Sequence, residues 1–97
     1  MTSQWEHMLA AKSLRVGVIG LGYVGLPLTH VFWQAGFSVT GFDIDPGKIA
    51  QLNAGESYIK HFGGERVAAM MQSGRFAATA DFAELQSVDA ILICVPT

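Results

Sequence analysis

The sequence predicts an α/β fold, a parallel four-stranded sheet in the strand order 3-2-1-4 with flanking helices. Two observations support it. Short runs of β-branched or strongly apolar residues alternate along the chain with segments whose apolar residues recur at helical spacing. A glycine-rich turn also joins the first such run to the first helical segment. Parallel strands connected by right-handed helical crossovers produce this alternation.

The first strand and helix lie on either side of the glycine-rich turn. Residues 15–20 form a short β-branched run, typical of a strand that is buried on both faces. Apolar residues recur at helical spacing over 24–35, where Pro27 is early enough for its missing N–H to cost little. Gly36 follows at a position where helices commonly end in a left-handed residue.

The second strand is expected at 37–43, an extended and β-prone stretch. Asp45 can cap a second helix that begins at Pro46, and Gly55 lies just past its end. Residues 56–63 show no clear period and are expected to form a loop.

The second half of the chain repeats the alternation. Val67, Met70 and Met71 mark a third helix that ends at Gly74, and 75–79 is a weak, alanine-rich third strand. Asp81, with a glutamate three residues later, predicts the start of another short helix. Residues 90–95 are the most apolar strand of all.

The composition excludes several classes of protein. Of the 97 residues, 51% are hydrophobic and 14% are charged, so the chain is neither a disordered segment nor a coiled coil. No apolar run approaches the roughly 20 residues of a membrane-spanning helix. A net charge of −2 argues against nucleic-acid binding. The single cysteine cannot form an internal disulfide, in keeping with a reducing compartment, and we expect a cytoplasmic protein.

Residues 1–14 are expected to form an appended helix. Ser3 and Glu6 have the spacing of a capping box, and Trp5, Met8 and Leu9 fall on one helical face. The segment lacks the basic start and long apolar stretch of a secretory signal. We therefore expect it to pack on the domain formed by the remainder of the chain.

The glycine-rich turn matches the pattern G-x-G-x-x-G. It follows a predicted strand and opens a predicted helix, the context of a dinucleotide-binding, Rossmann-like fold. The first glycine permits a tight turn, the second lets the backbone approach a pyrophosphate, and the third lets the helix pack on the strand. Free N–H groups and the positive end of the helix dipole then meet the phosphate charge. The alternative is a tight turn without a ligand. The residues assigned to the cofactor here are Gly20, Leu21, Gly22, Tyr23, Val24 and Gly25.

Asp43 supplies the second half of this pattern. It lies 23 positions after Gly20, close to the expected spacing of about 20. A carboxylate there can accept hydrogen bonds from both adenosine ribose hydroxyls and would repel a 2′-phosphate, so NAD is favoured over NADP. Lys48 is either beside the adenosine or an ordinary solvated lysine.

The carboxyl end of the last strand is expected at the same crevice. Val95 and Thr97 follow the strand that neighbours the first one, and ligands of open α/β sheets bind where the strand order reverses. An ordinary strand end is the alternative. Cys94 is expected inside the apolar strand as an inert, buried thiol. The three histidines lack metal-ligand spacing, and neither a metal site nor a catalytic group is predicted.

Three stretches resemble the UDP-glucose/GDP-mannose dehydrogenase family. They are Val16–Leu28 (VGVIGLGYVGLPL), Gly41–Asp45 with Lys48, and Ile93–Thr97 (ICVPT). Between them, 52–61 is most similar to the UDP-N-acetylglucosamine 6-dehydrogenase branch, with the UDP-glucose and UDP-N-acetylmannosamine branches as alternatives. Ser57, Tyr58 and His61 in this stretch are expected to order the loop rather than to touch a sugar.

The resemblance implies two successive NAD-linked oxidations of a sugar C6 alcohol to a carboxylate, in the synthesis of polysaccharide precursors. It implies that residues 20–25 hold the pyrophosphate and Asp43 the adenosine ribose. Lys48 would flank the adenine, and Val95 and Thr97 would border the nicotinamide. The family's catalytic cysteine, lysine and asparagine lie beyond residue 97.

We therefore expect residues 15–97 to be the first half of an NAD-binding domain from a longer protein, inactive alone. The strand at 90–95 would be an exposed sheet edge, and such edges invite pairing with another chain, so a homo-oligomer is expected. Two other interpretations stay open. One is a different NAD-dependent dehydrogenase, of the 6-phosphogluconate or 3-hydroxy-acid type. The other is a non-catalytic module that senses nucleotides.

Overall fold

The structure, a computed structural model, describes residues 14–60 and 62–94. Four parallel strands form one sheet in the order β3-β2-β1-β4, which confirms the predicted topology. The strands are β1 (Arg15–Ile19), β2 (Ser38–Phe42), β3 (Phe76–Thr79) and β4 (Ala90–Ile93). The helices are α1 (Gly25–Gln34), α2 (Pro46–Asn53), α3 (Gly64–Ser73) and a 3₁₀ helix (Phe82–Ser87). The appended helix predicted over 1–14 lies outside the described residues except for Leu14, which is buried in the core.

Local signals set the ends of the helices. The Asp45 side chain accepts hydrogen bonds from the N–H groups of Gly47, at 2.9 Å, and Lys48, at 3.4 Å, and so caps α2 as predicted. Helix α3 ends at Gly74, which adopts the left-handed conformation with φ 76°. The segment after Asp81 differs from expectation in being a 3₁₀ helix of 6 residues, a form common in short connections.

Helices α1, α2 and α3 all cover the same face of the sheet. Successive right-handed crossovers that move in one direction along a sheet place their helices on one side. Their buried side chains form one core with the side chains of that sheet face. The core includes Val16, Val18, Val39, Phe76 and Ala78 from the strands and Leu26, Leu52, Val67 and Met70 from the helices.

The opposite face of the sheet is covered by the segment around the 3₁₀ helix. Phe82 stacks on Phe42 with ring centroids 5.7 Å apart, and Val88 packs against Gly17, where a Cβ atom would be 3.0 Å from the valine. Side chains alternate along a strand, so Ile91 and Ile93 point to this same face. They are 48% and 68% exposed.

Strand β4 ends sooner than the predicted 90–95. The Cys94 N–H donates to the Ile19 carbonyl at 2.7 Å, and there β1 itself ends because the chain turns at Gly20. The expectation that Cys94 lies inside the strand is therefore wrong. Cys94 follows the strand and is only partly buried.

Candidate dinucleotide-binding site

The candidate site lies at the carboxyl ends of β1 and β2, where α1 begins. The sheet register pairs Ile19 with Phe42, so the two strands end side by side. The Gly20 N–H donates to the Phe42 carbonyl at 2.8 Å and holds the start of the glycine turn against β2. Parallel strands therefore bring residues 20–25 and Asp43 to the same edge of the sheet, as the sequence predicts.

Two of the turn's glycines are required by its backbone geometry. Gly20 has φ 93°, a conformation that L residues with side chains rarely adopt. A Cβ atom on Gly25 would lie 1.6 Å from the Gly20 carbonyl oxygen. The absence of a side chain at Gly25 thus lets α1 begin in direct contact with the end of β1.

The start of α1 presents unpaired N–H groups. Within residues 14–60 and 62–94, the backbone N–H groups of Gly22, Tyr23, Val24 and Gly25 donate to no acceptor. Val24, the N-cap residue, makes no side-chain capping bond, and the first helical turn carries no acidic residue. A Cβ atom on Gly22 would meet nothing within 4 Å, so the turn faces open space. Orphan N–H groups and an uncompensated helix dipole together suit a phosphate group.

Asp43 connects the glycine turn to the end of β2. Its Oδ2 atom accepts a hydrogen bond from the Leu21 N–H at 2.9 Å, and its Oδ1 atom accepts one from the Asp45 N–H at 2.9 Å. A carboxylate has about four acceptor positions, so Asp43 retains capacity for two hydroxyl groups. The fixed carboxylate beside unpaired N–H groups fits an adenosine ribose joined to a pyrophosphate.

The side chain of Leu21 packs beneath the glycine turn, against strand β2. Its side chain is fully buried, and its N–H is already used by Asp43, so it offers no donor to a ligand. A Cβ atom on Gly41 would lie 2.8 Å from the Leu21 side chain. Sequence analysis did not assign Gly41 to the site. The signal for it was a glycine inside a β-prone strand, which often marks a close approach of other atoms.

Tyr58 is a second residue that sequence analysis did not assign to the site. Its hydroxyl donates a hydrogen bond to the Leu21 carbonyl, across the chain from the loop between α2 and α3. The Lys48 Nζ atom lies over the Tyr58 ring, 5.6 Å from the centroid. Burial raises the pKa of Tyr58 above its usual value, and the charges of Asp43 and Asp45 raise it further, so the phenol stays protonated.

The other predicted residues are placed as follows. The Tyr23 and Val24 side chains are exposed, so their contribution to a bound group is through the backbone. Val95 and Thr97 lie outside the described residues. Cys94 lies beside the turn, because a Cβ atom added to Gly25 would be 3.4 Å from the Cβ atom of Cys94.

Other site types find no support among the described residues. No group of three or more histidine, cysteine, aspartate or glutamate side chains within 14–60 and 62–94 could hold a metal ion. No helix in the described part of the chain has the length and apolar character that crossing a membrane requires.

Comparison with known proteins agrees with this geometry. Residues 14–97 match a family model described as the UDP-glucose/GDP-mannose dehydrogenase family, NAD binding domain. A UDP-N-acetyl-D-glucosamine 6-dehydrogenase from Pseudomonas aeruginosa is 37% identical over 87 residues, covering 89% of this chain and 19% of the relative. A UDP-N-acetyl-D-mannosamine dehydrogenase from Pyrococcus horikoshii is 32% identical over 85 residues, covering 87% of this chain and 20% of the relative. The chain thus spans about a fifth of the length of these relatives.

Solved structures give the same result. A GDP-mannose dehydrogenase from Pseudomonas aeruginosa, solved as a ternary complex, superposes with a TM-score of 0.81 at 34% identity. The superposition covers 87% of this chain and 20% of that one. The match over 14–97 agrees with the turn of unpaired N–H groups and with the carboxylate beside it. The chain therefore belongs to the UDP-glucose/GDP-mannose dehydrogenase family and contains sequence of its NAD-binding domain.

Proposed function

We propose that this chain binds the adenosine and pyrophosphate part of NAD for a nucleotide-sugar 6-dehydrogenase. The single observation that carries the proposal is the placement of the Asp43 carboxylate 2.9 Å from the Leu21 N–H, beside the uncapped start of α1. The N–H groups of Gly22 to Gly25 would hold the pyrophosphate, and Asp43 would accept hydrogen bonds from the ribose hydroxyls.

The remaining residues of the proposed site have supporting roles. Lys48 would lie at the adenine side, held there by its contact with the Tyr58 ring. Val95 and Thr97 would border the nicotinamide, in line with the family resemblance. When bound, NAD supplies the hydride acceptor for oxidation of a sugar alcohol.

The proposal predicts that the chain prefers NAD to NADP. A 2′-phosphate would meet the Asp43 carboxylate, and neither Ile44 nor Asp45 offers a cation to hold it. We expect a preference of at least about tenfold, equivalent to ~1.4 kcal/mol. Titration calorimetry measures the two affinities, and an NMR titration of the turn's amide signals extends the measurement to weak binding.

Two substitutions sharpen the test. Asp43→Ala removes the carboxylate and its two hydrogen bonds, which lowers both affinities but should remove most of the preference for NAD. Asp45→Asn removes one charge two residues away while Asn caps α2 as well as Asp does, so the preference should largely remain. Equal affinities for NAD and NADP in the unmutated chain would contradict the role of Asp43.

For the whole protein we propose two successive NAD-linked oxidations that convert UDP-N-acetylglucosamine to the corresponding uronate, in the synthesis of polysaccharide precursors. The similarity of 52–61 to that branch and the 37% identical relative support this substrate. UDP-glucose and UDP-N-acetylmannosamine are the alternatives. Family membership also favours a dehydrogenase over a nucleotide sensor. The test uses the full-length protein and compares initial rates of NADH formation with each nucleotide sugar. Faster oxidation of another sugar would contradict the proposed substrate.

We also propose that this chain, studied alone, self-associates. Strand β4 pairs with β1 on one side and with no other described strand on its outer side. The Ile91 and Ile93 side chains of this strand are exposed on the sheet face opposite α1, α2 and α3. Unpaired apolar edges favour pairing with another chain. Analytical ultracentrifugation should detect a species larger than the monomer. A strictly monomeric species at high concentration would contradict this proposal.

A further inference from the structure

The loop between α2 and α3 contacts the glycine turn through Tyr58. The Tyr58 hydroxyl donates a hydrogen bond to the Leu21 carbonyl, 37 positions earlier in the chain. Ser57 orders the same loop locally, because its Oγ atom accepts a hydrogen bond from the Ile59 N–H at 3.1 Å. Tyr58 is thus the point where an irregular segment is tied to the turn.

The bonded carbonyl belongs to the peptide group that also carries the Gly22 N–H. A peptide group is planar and trans, so its carbonyl and its N–H point in opposite directions. The bond from Tyr58 fixes the direction of the Leu21 carbonyl. It therefore also fixes the direction of the Gly22 N–H, which has no acceptor among the described residues.

The rest of Leu21 is anchored independently. Its N–H donates to Asp43 at 2.9 Å, and its side chain is fully buried beside Gly41. These two contacts leave rotation of the Leu21–Gly22 peptide as the remaining freedom at this point of the turn. The Tyr58 hydroxyl restricts that rotation.

We propose that Tyr58 is a positioning residue for the pyrophosphate, orienting the Gly22 N–H through the Leu21–Gly22 peptide. This rests on the proposed NAD site. The two contacts of Leu21 with Asp43 and Gly41 hold the turn in place, whereas Tyr58 sets the orientation of one of its donors before any ligand arrives. Preorganised donors bind more tightly because less conformational freedom is lost on binding.

The test is Tyr58→Phe, measured with ADP and adenosine as probes. The substitution removes one hydroxyl and keeps the ring on which Lys48 lies. We expect ADP affinity to fall about three- to tenfold, the range for loss of one neutral hydrogen bond, while adenosine affinity stays within about twofold. The Gly22 amide signal should also shift in the NMR spectrum of the free chain.

A control separates loop order from the bond to Leu21. Ser57→Ala removes a hydroxyl whose hydrogen bonds stay inside the loop. It should change the affinities for ADP and adenosine by the same factor. Urea unfolding of both variants shows whether each chain remains folded.

The outcomes separate the two proposals. If the unmutated chain binds neither ADP nor NAD, the proposed function fails and the role of Tyr58 fails with it. If the unmutated chain binds ADP and Tyr58→Phe lowers ADP and adenosine affinity equally, or changes neither, only the positioning role is overturned.

Discussion

Replacing Gly25 by alanine should damage both the fold and the site. The added Cβ atom would lie 1.6 Å from the Gly20 carbonyl oxygen and 2.8 Å from the Gly20 carbonyl carbon. Both partners are backbone atoms, so no side chain can rotate to make room. Helix α1 and the end of β1 must separate by about 1.8 Å before these two atoms reach an ordinary van der Waals distance.

The loss of folding stability caused by Gly25→Ala can be estimated. Overpacking in a well-packed region destabilises a protein by roughly 1–3 kcal/mol, and a clash between two backbone segments belongs at the upper end of that range. A loss of about 3 kcal/mol corresponds to a decrease in melting temperature of about 12–24 °C for a domain of this size. The separation also displaces the unpaired N–H groups, so NAD affinity should fall in the fraction that stays folded.

Gly22→Ala is the matched control for this substitution. Gly22 lies three residues away, has no positive φ, and has open space where the Cβ atom would lie. Its stability should stay within about 0.5 kcal/mol of the unmutated chain. NAD affinity should nevertheless fall by about tenfold or more, because the new methyl group would occupy the space in which we propose that the pyrophosphate binds.

Thermal unfolding monitored by far-UV circular dichroism measures the change in stability, and calorimetric titration measures the change in NAD affinity. The reasoning would be refuted if Gly25→Ala melted within about 4 °C of the unmutated chain, a change worth less than ~1 kcal/mol. It would also be refuted if Gly22→Ala were destabilised as strongly as Gly25→Ala, since the available space would then not decide the outcome.

Three further predictions concern the fold. Asp45→Ala removes the N-cap of α2 and should lower the free energy of unfolding in urea by about 1 kcal/mol; an unchanged midpoint would contradict the capping role. Arg75 donates hydrogen bonds to two backbone carbonyls, both at 2.9 Å, and its guanidinium lies 5.1 Å from the Trp33 ring centroid. Arg75→Ala should therefore lower the free energy of unfolding in the same assay by about 1–3 kcal/mol. Arg75→Lys should recover only part of that loss. Burial, with a smaller effect from Arg66, lowers the pKa of His30 below its usual 6.5. As the pH falls, the imidazole of the unfolded chain is therefore protonated before that of the folded chain. The contribution of His30 to stability is therefore complete above that pH and decreases as the pH falls below it; His30→Gln should flatten this dependence between about pH 7.5 and 5.5.

Much of the fold was predictable because its signals are local. Asp45 and Pro46 mark the start of α2 through hydrogen bonds that span only three residues. The alternation of strands and helices predicts a parallel sheet with right-handed crossovers, and the glycine turn indicates the dinucleotide-binding fold, whose strand order begins 3-2-1-4. The end of β4 was misplaced because it depends on where β1 turns, at Gly20, and apolar character alone continues to Val95.

The residues of the site divide in the same way. The spacing of the glycines and the position of Asp43 are local consequences of a strand, a turn and a helix, so both were predictable. Tyr58 was not, because it lies in a loop without periodicity and its partner is 37 positions away. Its one available signal was general: a partly buried tyrosine hydroxyl needs a hydrogen-bond partner.

The order of residues along the chain by itself determined the α/β topology, the glycine turn and the acid that follows it. Only the tertiary structure decided what holds that turn: the Leu21 side chain seated against Gly41, its N–H bonded to Asp43 and its carbonyl bonded to Tyr58. The physical reason is distance along the chain. Backbone geometry and capping act between residues that are close in sequence. These three contacts, in contrast, form only after separate strands and a distant loop have been brought together at the carboxyl ends of β1 and β2.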